Sequence, residues 1–180
     1  MMTITFAPGD SVVHPRYGFG TIVSLARRDP DHPWQDAASG EAQDYYDIQL
    51  LKGGTLLVPI NRAASVGLRA LTNSIEVVKL CLRSPARSLP ENHRERAAAL
   101  RVQGEDTEPT ALAHSVRDLL AQGRSRSLSA SEKTWLDKSC ERLVTEAALV
   151  DHVSVLQARA AIQEAMNQVN AAQSDPEGTI

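Results

Sequence analysis

Aromatic side chains are scarce: two Trp, three Tyr and two Phe make up 4% of the 180 residues. Any core must therefore rest on Leu, Val, Ile and Ala. Cysteine is scarcer still. Cys81 and Cys140 lie far apart in the chain, each in apolar, helix-like surroundings. A disulfide framework or a zinc site needs more ligands at tighter spacing, so both read as buried free thiols. No run approaches the roughly 18 apolar residues that cross a bilayer. Residues 1–15 lack the basic start and apolar stretch of a secretory signal, so the cytoplasm is the expected location and no membrane partner is expected. An excess of positive charge is missing too: the net charge is −3 and the pI about 5.9. A general nucleic-acid coat would be basic, so any DNA contact is confined to a local patch.

Catalytic patterns are also wanting. His14, His32, His93, His114 and His152 show no His-x-x-x-His pair for one helix face, and neither a phosphate-cradling Gly-x-x-x-x-Gly-Lys loop nor a nucleophile elbow occurs. The chain is read as non-enzymatic, with no cofactor, metal or small-molecule substrate. What remains is ordinary: 42% hydrophobic and 23% charged residues, which suits one globular domain or two small ones.

The pattern changes character near residue 72. Before it, short β-rich runs alternate with turn residues. Ser11–His14 is β-branched and ends at Pro15, and Tyr17-Gly18-Phe19-Gly20 reads as a tight turn. Thr21–Ala26 and Tyr45–Leu51 read as strands around a polar loop over 29–43 that contains Trp34. Lys52-Gly53-Gly54-Thr55 is a two-glycine hairpin turn leading into the strand Leu56–Pro59. One helical turn at Asn61–Ala64 and a strand at Val66–Leu71 complete a small, bent sheet or barrel.

After residue 72 the periodicity is helical. Asn73 or Ser74 caps a helix reaching Leu82, which Ser84-Pro85 ends. Pro90 opens a second helix to about Val102, stopped by Gly104. Thr107 or Thr110 caps a third, with the stripe Leu112, Val116, Leu119 and Leu120, closed by Gly123. The capping box Ser129-x-x-Glu132 opens a long helix through Leu136, Cys140, Leu143 and Ala147 to Val150. A last helix covers about Ser154–Val169. Trp135, beside Leu136, reads as a partly buried packing residue; Trp34 either packs locally or touches a partner. The fold class is thus α+β: a β module over 1–72, a helical domain over 73–172 and a disordered tail over 173–180.

Positive charge is concentrated in two stretches of this helical half, while the chain from Leu143 on carries one arginine against five acids. Arg83, Arg87, Arg94, Arg96 and Arg101 stand against Glu91 and Glu95, and six basic residues between Arg117 and Arg142 stand against four acidic ones. Such stretches give salt-dependent, sequence-independent phosphate contacts, or simply solvated helix faces.

Two blocks resemble a known family. Phe6-x-x-Gly9-Asp10-x-Val12-Val13-x-Pro15-x-x-Gly18-x-Gly20-x-Ile22, with Val58-Pro59 and Val66-Gly67-Leu68-Arg69 after it, is similar to the opening module of the CarD/CdnL regulators. The transcription-repair coupling factor shares that module. Val116-Arg117-Asp118-Leu119, Leu128-Ser129-x-x-Glu132-Lys133-x-x-Leu136-x-Lys138 and Leu143-Val144-x-Glu146-x-Ala148-Leu149 resemble the family's helical domain. The resemblance covers about residues 6–170.

It implies a Tudor-like β module that docks on the RNA polymerase β subunit, partly by extending a sheet edge. It also implies a helical domain that meets promoter DNA at the upstream edge of the bubble, through the minor groove and phosphates. Stabilisation of the open complex follows. Many family members carry a tryptophan wedge where His93 stands here. His93 is either a smaller stacking or hydrogen-bonding group in the minor groove or an exposed helix-start residue without a DNA role. By the same resemblance Arg94, Arg96 and Lys133 are DNA candidates, with Lys138 set aside for salt bridging. Arg28 matches a basic polymerase-docking position, and Leu57 replaces another. Tyr45, Tyr46 and Ile48 are either docking-strand or core residues. Two alternatives stay open: a polymerase-binding protein without a productive DNA wedge, and a Tudor-like module for another protein partner.

Overall fold

The computed structural model describes residues 5–28, 43–105 and 108–172. Most of the expected 29–43 loop with Trp34, Thr107, and the tail at 173–180 lie outside the described residues. The chain divides between Leu71 and Thr72 into two compact units, the first a sheet and the second helical, an α+β architecture.

The first unit is a five-stranded antiparallel sheet. Its strands are β1 (Ser11–His14), β2 (Gly18–Arg28), β3 (Gln43–Leu50), β4 (Thr55–Pro59) and β5 (Arg69–Ala70), in the order β4-β3-β2-β1-β5. Alternation sends Ile22, Tyr46, Ile48 and Val58 to one face, where they pack with Phe6, Val12, Ala63 and Leu68. Register is fixed partly by bulk. A Cβ at Gly20 would lie 2.6 Å from Ile48 Cγ2 and 2.8 Å from the Gln49 carbonyl oxygen. Gly53 and Gly54 take positive φ (91° and 86°) at the β3–β4 hairpin, where the Gly53 amide donates to the Leu50 carbonyl at 3.0 Å. This is the turn its two glycines predict.

Two expectations shift. The β1–β2 turn lies at residues 15–17, ahead of the glycines. The Nδ1 atom of His14 accepts from the Arg16 and Tyr17 amides (3.1 and 3.4 Å), which closes the turn early. The expected strand over Val66–Leu71 is reduced to Arg69–Ala70. The amides of Val66, Gly67 and Leu68 are spent in turns on Arg62, Ala64 and Ala63 carbonyls.

The second unit holds α1 (Ile75–Arg83), α2 (His93–Glu105), α3 (Ala111–Ser125), α4 (Ala130–Val150) and α5 (Val155–Ala172). One core joins Val78, Cys81 and Leu82 of α1, Leu112 and Val116 of α3, Leu143, Val144 and Ala147 of α4, and Ala158 and Ile162 of α5. Trp135 packs half-buried against it. Cys81 and Cys140 are free thiols, buried and half-buried.

Ser74 is the cap of α1, accepting from the Val77 amide at 3.2 Å. Asn73 is buried instead, its side-chain amide donating to the Pro109 carbonyl and to Glu146 (2.6 and 3.1 Å). Thr110 stands at the cap position of α3 without a side-chain bond. Gly104 and Gly123 do not end their helices, which run on to Glu105 and Ser125. At Gly123 the missing side chain makes room for Leu128, whose carbons would lie 3.3 Å from a Cβ.

Candidate functional site

Extended backbone at Ser84, set by Pro85, ends α1 and starts the segment 84–92. Arg117, itself buried, donates to Ser84 Oγ at 2.5 Å and to Asp118 at 2.8 Å. The same Asp118 carboxylate accepts the Arg87 amide at 2.8 Å. The segment is therefore fastened at its start to α3. A cleft of about 610 Å³ opens beside it, with Arg87 and Glu91 on one wall and Asp118, Gln122 and Arg126 on the other.

At the far end of the segment, Asn92 Oδ1 accepts the Arg94 amide at 2.9 Å and serves the first turn of α2. His93 and Arg94 are exposed there. Arg96 is not: only 1% of its surface meets solvent. Its Nε donates to Glu132 Oε1 at 2.5 Å, and its Nη1 to the carbonyls of Pro90 and Glu91 at 2.5 and 2.8 Å. The expectation of Arg96 as a phosphate contact is therefore corrected. Desolvating a guanidinium costs too much unless every partner is supplied internally, and here the partners are internal.

Glu132 is the second half of the capping box, accepting the Ser129 amide at 2.7 Å, while its own amide donates to Ser129 Oγ. Burial pushes its carboxyl up, but the hydrogen bonds from Arg96 and Ser129 outweigh that and hold it at about 2. The Arg96–Glu132 contact brings the first turns of α2 and α4 together. His93, Arg94 and Lys133, all exposed, thus share one end of the helical unit. Two helix N-termini meet at this end, and their partial positive charge favours anions. Lys138 is exposed further along α4.

In the first unit the docking candidates separate by face. Tyr46 and Ile48 are 0% and 1% exposed and belong to the core, which corrects their reading as docking residues. The Tyr46 hydroxyl accepts the Phe6 amide at 3.0 Å, and the two rings meet edge to face. Their strand neighbours Tyr45 and Asp47 point the other way. Asp47 lies opposite Leu57, which is half-buried on β4, the strand at one end of the sheet. Ser24 Oγ donates to Asp47 at 3.3 Å on the same face. Asp47 was the residue to notice: a carboxylate between Tyr46 and Ile48 sets the phase of β3 and turns both neighbours inward. Arg28 is the last residue of β2, paired with Gln43; its side chain lies outside the description.

Among the described residues no group of three His, Cys, Asp or Glu side chains is placed to hold a metal, and no helix is long and apolar enough to cross a membrane.

Comparison with known proteins divides the chain where its fold divides. Residues 6–72 match the model of the CarD-like/TRCF RID domain, and residues 77–163 match that of the CarD C-terminal domain. The chain belongs to the CarD/CdnL family of transcription regulators. Among its relatives is the YdeB protein of Bacillus subtilis (strain 168), put forward by its name as a transcription factor. It is 26% identical over 155 residues, which cover 83% of this chain and 94% of YdeB. A solution NMR structure of the 72-residue N-terminal domain of Myxococcus xanthus CarD is similar at 18% identity. It covers 39% of this chain and 84% of that one, with a TM-score of 0.29. Family membership makes the transcription machinery the partner of this chain, and its N-terminal sheet is the CarD-like/TRCF RID domain.

Proposed function

We propose that this chain is a non-enzymatic, cytoplasmic bridge between the RNA polymerase β subunit and promoter DNA at the upstream edge of the bubble. Its presence would lengthen the life of the open complex. The observation that carries the reading is the pairing of both family domains in one chain, over 6–72 and 77–163.

The first domain docks through the end of its sheet. Strand β4 extends into the partner by main-chain hydrogen bonds, while Leu57 and the outward face around Asp47 supply side-chain selectivity. Arg28, at the end of β2, adds a cation for an acidic group on the β subunit.

The second domain presents His93, Arg94 and Lys133 at one end of its helices. Arg94 and Lys133 take phosphates, a contact that orients without reading sequence. His93 stacks on, or donates to, a base at the minor-groove edge of the opening duplex. Its imidazole fills less of an unstacked gap than an indole would, so the wedge contributes less to the open complex than a tryptophan does.

The smaller wedge also supports a second reading, in which the chain binds polymerase without a productive DNA contact. Titration of the full chain with the isolated β-subunit lobe tests the shared part. Saturable binding, weakened by Leu57→Asp, is expected; absence of binding overturns both readings. Titration with forked promoter DNA then separates them, since only the bridge requires weaker binding by His93→Ala and Arg94→Ala.

A further inference from the structure

Helix α2 has little apolar surface with which to hold itself in place. Of His93–Val102, only Arg96 and Leu100 are buried, four residues apart on one face. The packing of the helix start therefore depends on what Arg96 touches. It touches Glu132, which at the same time closes the capping box of α4 and lies 3.4 Å from Arg126. It also touches the carbonyls of Pro90 and Glu91, immediately ahead of the turn that carries His93.

We propose that Arg96 and Glu132 are positioning residues: their buried pair fixes the 90–92 turn and the first turn of α2, and so holds His93 and Arg94 at the angle at which they meet DNA. The inference rests on the DNA-facing reading of His93 and Arg94 given above. It assigns Arg96 a role through other residues rather than on phosphate.

The chemistry requires an arginine. The guanidinium serves Glu132 with Nε while Nη1 serves two carbonyls, in one plane and from a rigid fork. A lysine ammonium is a single point charge that cannot span both sides at once. A phosphate contact has the opposite requirement, because lysine serves a phosphate well as a point charge. Conservative substitution therefore distinguishes the two roles.

The test compares full-length Arg96→Lys and Glu132→Gln with His93→Ala and Arg94→Ala. The readouts are amide hydrogen exchange over residues 92–95, affinity for forked promoter DNA, and binding to the polymerase β lobe. Glu132→Gln keeps the shape of the side chain and an acceptor for the Ser129 amide, so it carries the test if Arg96→Lys does not fold. The expected result is exchange faster by about tenfold over 92–95 in both variants. DNA affinity falls by a similar factor and β-lobe binding is unchanged. Wild-type protection and wild-type DNA affinity in Arg96→Lys or in Glu132→Gln would overturn the proposal. If His93→Ala and Arg94→Ala leave DNA binding intact while 92–95 still loosens in the pair variants, the DNA-facing reading fails and the positioning role stands.

Discussion

Arg96 and Arg94 are two residues apart and of one type, yet Arg96 is buried and Arg94 is exposed. Periodicity alone hints at the difference: Arg96 and Leu100 share a face, and Leu100 is the helix's buried leucine. The deciding partner, Glu132, lies in another helix, where no local pattern reaches it. Its titration gives a measurable consequence. Glu132 is held at about 2 in the folded chain against an ordinary 4.5. Between those values the unfolded chain binds the extra proton, so the stability this group contributes is present above 4.5 and lost as pH falls towards 2. Thermal midpoints measured across that window should fall less steeply in Glu132→Gln than in wild type. Equal slopes would mean the carboxylate is not held as described.

The two thiols give a second prediction at this scale. Burial pushes Cys81 up, with Arg117 opposing; burial, Asp137 and Glu141 push Cys140 up to about 11. A protonated thiol is a poor nucleophile. Folded protein at about pH 8, near the ordinary cysteine value, should resist alkylation at both positions and react only once denatured. Mass spectrometry showing rapid modification of the folded chain would contradict this.

At the scale of elements, most strands and helices were legible because alternation, turn glycines and capping residues agree. The capping box at Ser129 and Glu132 is the clearest case. Where competition is between hydrogen-bonding partners, the pattern was not enough. His14 closed its turn before the glycines could, and turn hydrogen bonds shortened the last strand. For the candidate site, His93, Arg94 and Lys133 came from the family resemblance, which brought in Arg96 with them although the structure buries it. The inward phase of Tyr46 and Ile48 was written in Asp47 between them but is overt only in the sheet.

Two element-scale substitutions are informative. Gly20→Ala should destabilise by about 1–3 kcal/mol in denaturant titration, the usual cost of overpacking. The added carbon meets the Gln49 backbone as well as Ile48. A neutral substitution would mean β2 and β3 are not so close. Ser129→Ala should cost about 1 kcal/mol through loss of the cap, and leaves Glu132 its other partners.

At the scale of the whole molecule, an acidic chain with net charge −3 is proposed to reach DNA through a few cations at one end. Few contacts mean a shallow salt dependence. The slope of log K against log salt for forked DNA should become less negative by about 0.9 in Arg94→Ala, the value of one phosphate contact. An unchanged slope would remove Arg94 from the interface.

The bridge itself is tested most directly by the lifetime of competitor-resistant open complexes formed by polymerase on a promoter that opens unstably. Wild-type protein should lengthen this lifetime. His93→Ala should lengthen it less, and Leu57→Asp, which weakens docking, should also fall short of wild type. A lifetime unaffected by saturating wild-type protein would contradict a bridge between polymerase and promoter DNA.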